Sequence, residues 1–121
     1  MLKVHAKKLG TVAVLCLQGR MVKGETEILR NALHSLSEVS AVILDLARVT
    51  IVDAGGLGVM LELREQVQSK GIDFKLANVS EFVSRVLEIT HLNSVFEVIS
   101  GAEILFASHS RAASAALAPC A

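Results

Sequence analysis

The sequence has no Trp and no Tyr, and its four Phe make aromatics only 3% of 121 residues. That excludes the aromatic stacking platforms on which single-stranded nucleic acid binders rely. It also lacks an excess of charge: 12 Lys+Arg stand against 12 Asp+Glu, for a formal net charge of zero. Nucleic acids and anionic membranes both select a basic field, so neither is expected as the main partner. No apolar run approaches the roughly 18 to 20 residues that cross a bilayer, so no membrane insertion is expected. The start, Met1-Leu2-Lys3-Val4-His5, is interrupted by a charge and a His and does not read as a signal peptide. The expected location is therefore the cytoplasm. The two cysteines, Cys16 and Cys120, are too few for a disulfide framework in a chain this long. Cys16 lies inside an apolar run and reads as buried core.

Signatures of enzyme chemistry are missing as well. His5, His34, His91 and His109 are scattered, and none pairs with a Cys or carboxylate at metal-ligand spacing. There is no Gly-x-Ser-x-Gly elbow, no Gly-x-x-x-x-Gly-Lys loop and no Gly-x-Gly-x-x-Gly fingerprint. Neither a metal nor a cofactor is expected.

What is present is a core. Hydrophobic residues make up 52% of the chain, and the length suits one domain. Leu2, Val4 and Ala6 alternate with polar residues over Lys3–Lys7, as in a half-buried strand. Gly10 makes a turn, and Thr11–Gln18 is apolar on both faces, so a hairpin is expected here. Gly19–Gly24 reads as a loop. From Glu25 the period becomes helical, with Ile28, Leu29, Ala32, Leu33 and Leu36 on one face. Ala41–Leu46 is a buried strand, and Thr50–Asp53 extends toward a turn. Ala54-Gly55-Gly56 opens a second helix whose inner face is Gly56, Met60, Leu63 and Val67, and Gly71 ends it. Ile72–Ala77 alternates as a strand. Ser80 caps a third helix carrying Phe82, Val83, Val86 and Leu87. Val95–Ile99 is at best a short edge strand, and Ala102–Leu117 reads as a last helix with Leu105, Phe106 and Ala113 inward. Helices alternating with apolar strands predict an α/β fold, with four to five strands in a mixed central sheet flanked by about four helices.

One segment carries a local chemical argument. Val52-Asp53-Ala54-Gly55-Gly56-Leu57-Gly58 sits where a strand meets a helix N-terminus, whose first amides lack intrahelical partners. Asp53 suits the N-cap. The spacing fits a capped turn with glycines for close packing; it also fits a recognition surface built on that turn. Asp45 reads as a solvated strand end. Arg20 and Lys23 read as a solvated loop, or as a small positive patch.

The run Ile43-Leu44-Asp45-Leu46, then Val49, then Val52-Asp53-Ala54-Gly55-Gly56-Leu57-Gly58-Val59-Met60-Leu61 resembles the signature of STAS domains (sulfate transporter and anti-sigma-factor antagonist). In that signature Asp-Ser-Ser/Thr-Gly-Leu-Gly opens a helix after an apolar strand. Leu15 to Met21 is similar to the family's strand ending in Gly-Glu-Leu. Phe74 to Ala77 and then Ser80 to Asn93, with Leu87, Thr90 and Leu92, resemble its next strand and helix. The likeness covers about residues 8 to 110 and rests on order and spacing. It implies a single STAS-like domain over residues 1–117, with 118–121 as a disordered tail.

The resemblance also implies no enzymatic activity. It implies a regulatory protein-binding module of the anti-sigma-factor antagonist kind, acting by partner switching in transcription regulation. The partner would be an anti-sigma factor with serine kinase activity, or another STAS-binding regulator. In the family that kinase phosphorylates the second hydroxyl residue of the motif, and binding is lost. Here Ala54 and Gly55 occupy the two hydroxyl positions, so the acceptor position is Gly55 and no phosphorylation is expected there. Arg20-Met21-Val22 replaces the family's Glu-Leu-Asp. The expected contact residues are Arg20, Met21, Val22 and Lys23 with Asp53, Ala54, Gly55, Gly56 and Leu57, the two loops lying side by side. A serine at Gly55 is expected to be tolerated there at small cost. The alternative is a small STAS subunit docking on the ATPase of an ABC-type transport complex. A third possibility, an enzyme acting on nucleotides, lacks a phosphate loop, although the spacing leaves open a weak nucleotide site at the second helix's N-terminus.

Overall fold

Strands β1 (Lys3–Leu9) and β2 (Val12–Met21) form the expected antiparallel hairpin in the computed structural model, which describes residues 1–108. After it come α1 (Glu27–His34), β3 (Ala41–Val52), α2 (Ala54–Gln68), β4 (Asp73–Ala77), α3 (Glu81–Ile89), β5 (Glu97–Ile99) and α4 (Gly101–Ser108). The sheet is mixed and five-stranded in the order β1-β2-β3-β4-β5, with every pair after the hairpin parallel. Three crossovers step in one direction, and α1, α2 and α3 share one core on one face of the sheet, as crossovers of a single hand require.

The larger core lies on that face. Leu15, Leu17 and Met21 of β2 and Val42, Leu44 and Leu46 of β3 meet Leu29 and Leu33 of α1, Met60 and Leu63 of α2, and Val83 and Leu87 of α3. Each such side chain, fully buried, contributes about 2 kcal/mol. The inner face of α2 is the expected one: Gly56, Met60, Leu63 and Val67 are all buried. The opposite face of the sheet carries a smaller cluster, in which Val14 and Ile43 meet Ile104 of α4.

Several expectations are corrected. The segment Gly19-Arg20-Met21 is not loop but the end of β2, because β3 runs on alongside it to Val52. β3 needs 12 residues to match the 10 of β2, and the register slips by one between Cys16/Gln18 and again between Gly19/Arg20. These are two bulges in a parallel pair, an uncommon place for them. Asp45 is no solvated strand end: it is 4% exposed and sits at the first bulge. Its carboxylate accepts from the Ala47 amide, which the bulge frees from the ladder, at 3.0 Å, and from Asn78 Nδ2 at 2.9 Å. A buried carboxylate is retained here because both oxygens have donors. Cys16 is half-buried, packing beside the smaller cluster rather than deep in the core. The first helix ends at His34, so Leu36 lies beyond it, and Ile28 and Phe82 are exposed at 44% and 51%. Ser80 caps α3 as expected, its hydroxyl accepting from the Val83 amide at 3.2 Å. The expected continuation of the last helix to Leu117, the inward placing of the Leu105, Phe106 and Ala113 side chains, and the tail from 118 lie outside what the structure describes.

Candidate functional site

The two bulges bring the end of β3 level with the end of β2, and this is where the candidate residues meet. The Asp53 amide donates to the Met21 carbonyl at 3.2 Å. Asp53 has extended backbone angles and is the N-cap of α2: its Oδ1 accepts from the Gly56 amide at 2.8 Å. The same carboxylate accepts from the Lys23 amide, 3.1 Å from each oxygen. One side chain therefore ties the helix start to the β2–α1 loop, 30 residues away in sequence.

These amides also set the electrostatics. The Gly56 amide, and after it the Lys23 amide, hold the Asp53 carboxyl below the usual aspartate range despite opposing desolvation. A folded value below the unfolded one stabilises the protein fully above the unfolded value, near pH 4, and this is lost as pH falls through the folded value. Wild type should therefore melt higher than Asp53→Asn at pH 7, and the gap should narrow as pH falls below about pH 4. Thermal melts of both proteins from pH 7 to pH 3 check this; a gap that stays constant over that range would show that the Asp53 charge plays no part.

Close approach explains the two motif glycines. A Cβ on Gly55 would lie 2.6 Å from the Lys23 Cβ and 2.9 Å from its Cα. A Cβ on Gly56 would run into the Met21 carbonyl oxygen and lie 2.7 Å from the Met21 Cγ. The expectation that serine at 55 is tolerated is therefore corrected: the obstacle is not the dihedral angle but the β2–α1 backbone packed on top of it.

The structure does bring the two loops together, in two layers. Arg20, Lys23, Asp53 and Ala54 are exposed. Val22 and Gly55 are half-buried, while Met21, Gly56 and Leu57 are buried and support the surface from beneath. Glu25 is a member the sequence reading missed, having assigned it to the helix. It lies ahead of α1, and its carboxylate takes Arg20 Nη2 at 2.9 Å and the Met1 amino group at 2.8 Å. The amino group, more than Arg20, holds the Glu25 carboxyl below its ordinary value. A separation of five residues matches no helical spacing, so nothing in the sequence marked the pair. Ile51, 45% exposed beside the turn, was equally hidden among strand residues.

Among the described residues no three His, Cys, Asp or Glu side chains are grouped to hold a metal ion. No described helix is long and apolar enough to cross a membrane.

The chain is similar to a STAS-domain containing protein of Pseudomonas aeruginosa (strain UCBPP-PA14), 27% identical over 90 residues that cover 74% of this chain and 89% of that one. Its fold is similar to that of an anti-sigma factor antagonist from Mycobacterium paratuberculosis, with a TM-score of 0.72 at 18% identity, covering 81% of this chain and 85% of that one. It is also similar to a sulfate transporter family protein from Wolinella succinogenes, with a TM-score of 0.66 at 23% identity over 73% of this chain and 75% of that one. The family model for the STAS domain matches residues 3–112, most of the sequence, and the chain belongs to the STAS domain family.

Proposed function

We propose that this STAS domain is a regulatory protein-binding module that engages an anti-sigma factor with serine kinase activity through the exposed residues of the β2–α1 loop and the Asp53 turn, without phosphate control at that turn. The observation that carries the reading is position 55. At the position that the family resemblance makes the phosphoacceptor this chain has Gly55, and the Lys23 backbone occupies the space above it. A partner would meet a surface held in one shape by the Asp53 carboxylate, with no hydroxyl between Asp53 and Gly58 to take a phosphoryl group. The likeness to an anti-sigma factor antagonist supports the partner class.

The experiment mixes the protein with the anti-sigma-factor kinases of its source cell and MgATP, measures complex formation by titration, and maps phosphate by mass spectrometry. A complex is expected, with no phosphate on residues 53–58. Failure to bind any of those kinases sinks the reading. Stoichiometric phosphate on Thr50 or Ser80 would show that control has moved to another hydroxyl.

A second reading is a STAS subunit docked on the ATPase of an ABC-type transport complex. It has in its favour the likeness to a sulfate transporter family protein. The same loops would be the contact, and co-purification of an ATPase in place of an anti-sigma factor decides for it.

A further inference from the structure

The face of the sheet opposite α1–α3 carries a basic strip over its β1–β3 half. The register sets it out. Lys3 pairs with Gln18, and Gln18 with Arg48, so these three form one row across three strands. His5 and Lys7 follow Lys3 along β1 at alternate positions, on the same face as Leu9 of the smaller cluster. Lys3, His5, Gln18 and Arg48 are exposed and Lys7 is half-buried. None of these side chains is in an ion pair or side-chain hydrogen bond among the described residues. The carboxylate nearest in register, Asp45, is buried and already held by Asn78 and the Ala47 amide.

Lysines on an edge strand also discourage pairing with other chains, and that would account for β1 alone. It does not account for Arg48, which lies on the third strand of the sheet, exposed and unpaired in a chain of zero net charge. We infer that this strip is a second interaction surface, one that takes an extended acidic segment of a protein partner. An extended peptide repeats its same-side side chains about every 6.5–7 Å, which is the spacing of Lys3, His5 and Lys7 along β1. Carboxylates at alternate positions of such a segment would face these groups, while Arg48 lies about 10 Å across the sheet from Lys3, within reach of a neighbouring acid. No Phe, Tyr or Trp side chain is present on the strip to stack on bases. With no net positive charge behind it, the strip lacks the long-range field that draws nucleic acids and anionic membranes. Short-range charge complementarity remains, and it sets specificity and on-rate.

The inference is independent of the Asp53 turn. Its test uses a fluorescein-labelled oligoglutamate, titrated by anisotropy at roughly 0.03 M and 0.3 M salt. Wild type is expected to bind it and to weaken at the higher salt. Arg48→Glu, and separately Lys3→Glu, should each weaken binding about tenfold. Arg85→Glu changes the net charge by the same amount on exposed α3 and should leave binding near wild type. Circular dichroism melts establish that each variant is folded, and either strip variant alone suffices if the other is not. No wild-type binding, or an equal loss in Arg85→Glu, overturns the inference. Tighter binding of a single-stranded oligonucleotide or of phosphatidylglycerol vesicles through the same residues overturns the assignment to a protein partner. Asp53→Ala should leave oligoglutamate binding unchanged, so the fate of this surface and that of the loop contact are read separately.

Discussion

Gly56→Ala should destabilise the protein by about 3 kcal/mol, lowering the melting temperature by about 10 °C or more. The reason is local and severe. The added methyl would point into the Met21 carbonyl oxygen and close on the Met21 Cγ, 2.7 Å away. Met21 is fully buried and cannot step aside, and its carbonyl also receives the Asp53 amide. Relief requires moving either the end of β2 or the first turn of α2. Both moves break the hydrogen bond from Asp53 to Met21 and shift the contact loops, so partner affinity should fall together with stability. Gly58→Ala, two residues on, is the control: a Cβ there meets nothing within 4 Å. In mid-helix that change should leave stability equal or raise it by about 0.5–1 kcal/mol. Thermal melts of the three proteins decide the matter, and a Gly56→Ala variant as stable as wild type would mean that Met21 does not press on the helix.

Gly55→Ser should fail to rebuild a phosphate switch. Serine is acceptable in the first turn of a helix, but the Lys23 Cβ and Cα lie 2.6 and 2.9 Å from the new Cβ. The loop must lift, and lifting it pulls the Lys23 amide off the Asp53 carboxylate. The expected results are a melting temperature lower by several degrees, faster amide exchange at Lys23, and affinity for the proposed anti-sigma-factor partner reduced about tenfold before any phosphate is added. Gly55→Asp should lose more, since its charge faces that of Asp53. Wild-type affinity in Gly55→Ser, with normal protection at Lys23, would show that the loop yields freely and that only the missing hydroxyl separates this protein from a switched one. Affinity unchanged even in Gly55→Asp would place the contact surface elsewhere.

The alternation of strands and helices was legible because each element has its own period. The turn chemistry was legible for the same reason: Asp53 and Ser80 serve as caps through donors three residues away, at Gly56 and Val83. Short-range rules of this kind survive translation from sequence to structure. The missing hydroxyl at Gly55 needs no structure at all.

The tertiary structure decided everything that depends on register. Two one-residue slips in β3 are invisible in Ala41–Val52, where every residue fits a strand. Asp45 lies just ahead of the first slip, buried and held by Asn78, 33 residues away, which no local pattern indicated. The slips bring the Lys23 amide over Asp53 and thereby turn Gly55 from a permissive site into a crowded one. The row Lys3-Gln18-Arg48 exists for the same reason, since the first slip sets Arg48, rather than Ala47, opposite Gln18. What the sequence determined by itself was the local chemistry: elements, caps and a turn without a hydroxyl. Which distant groups share a surface followed only from strand register, because a one-residue shift reverses every side chain beyond it.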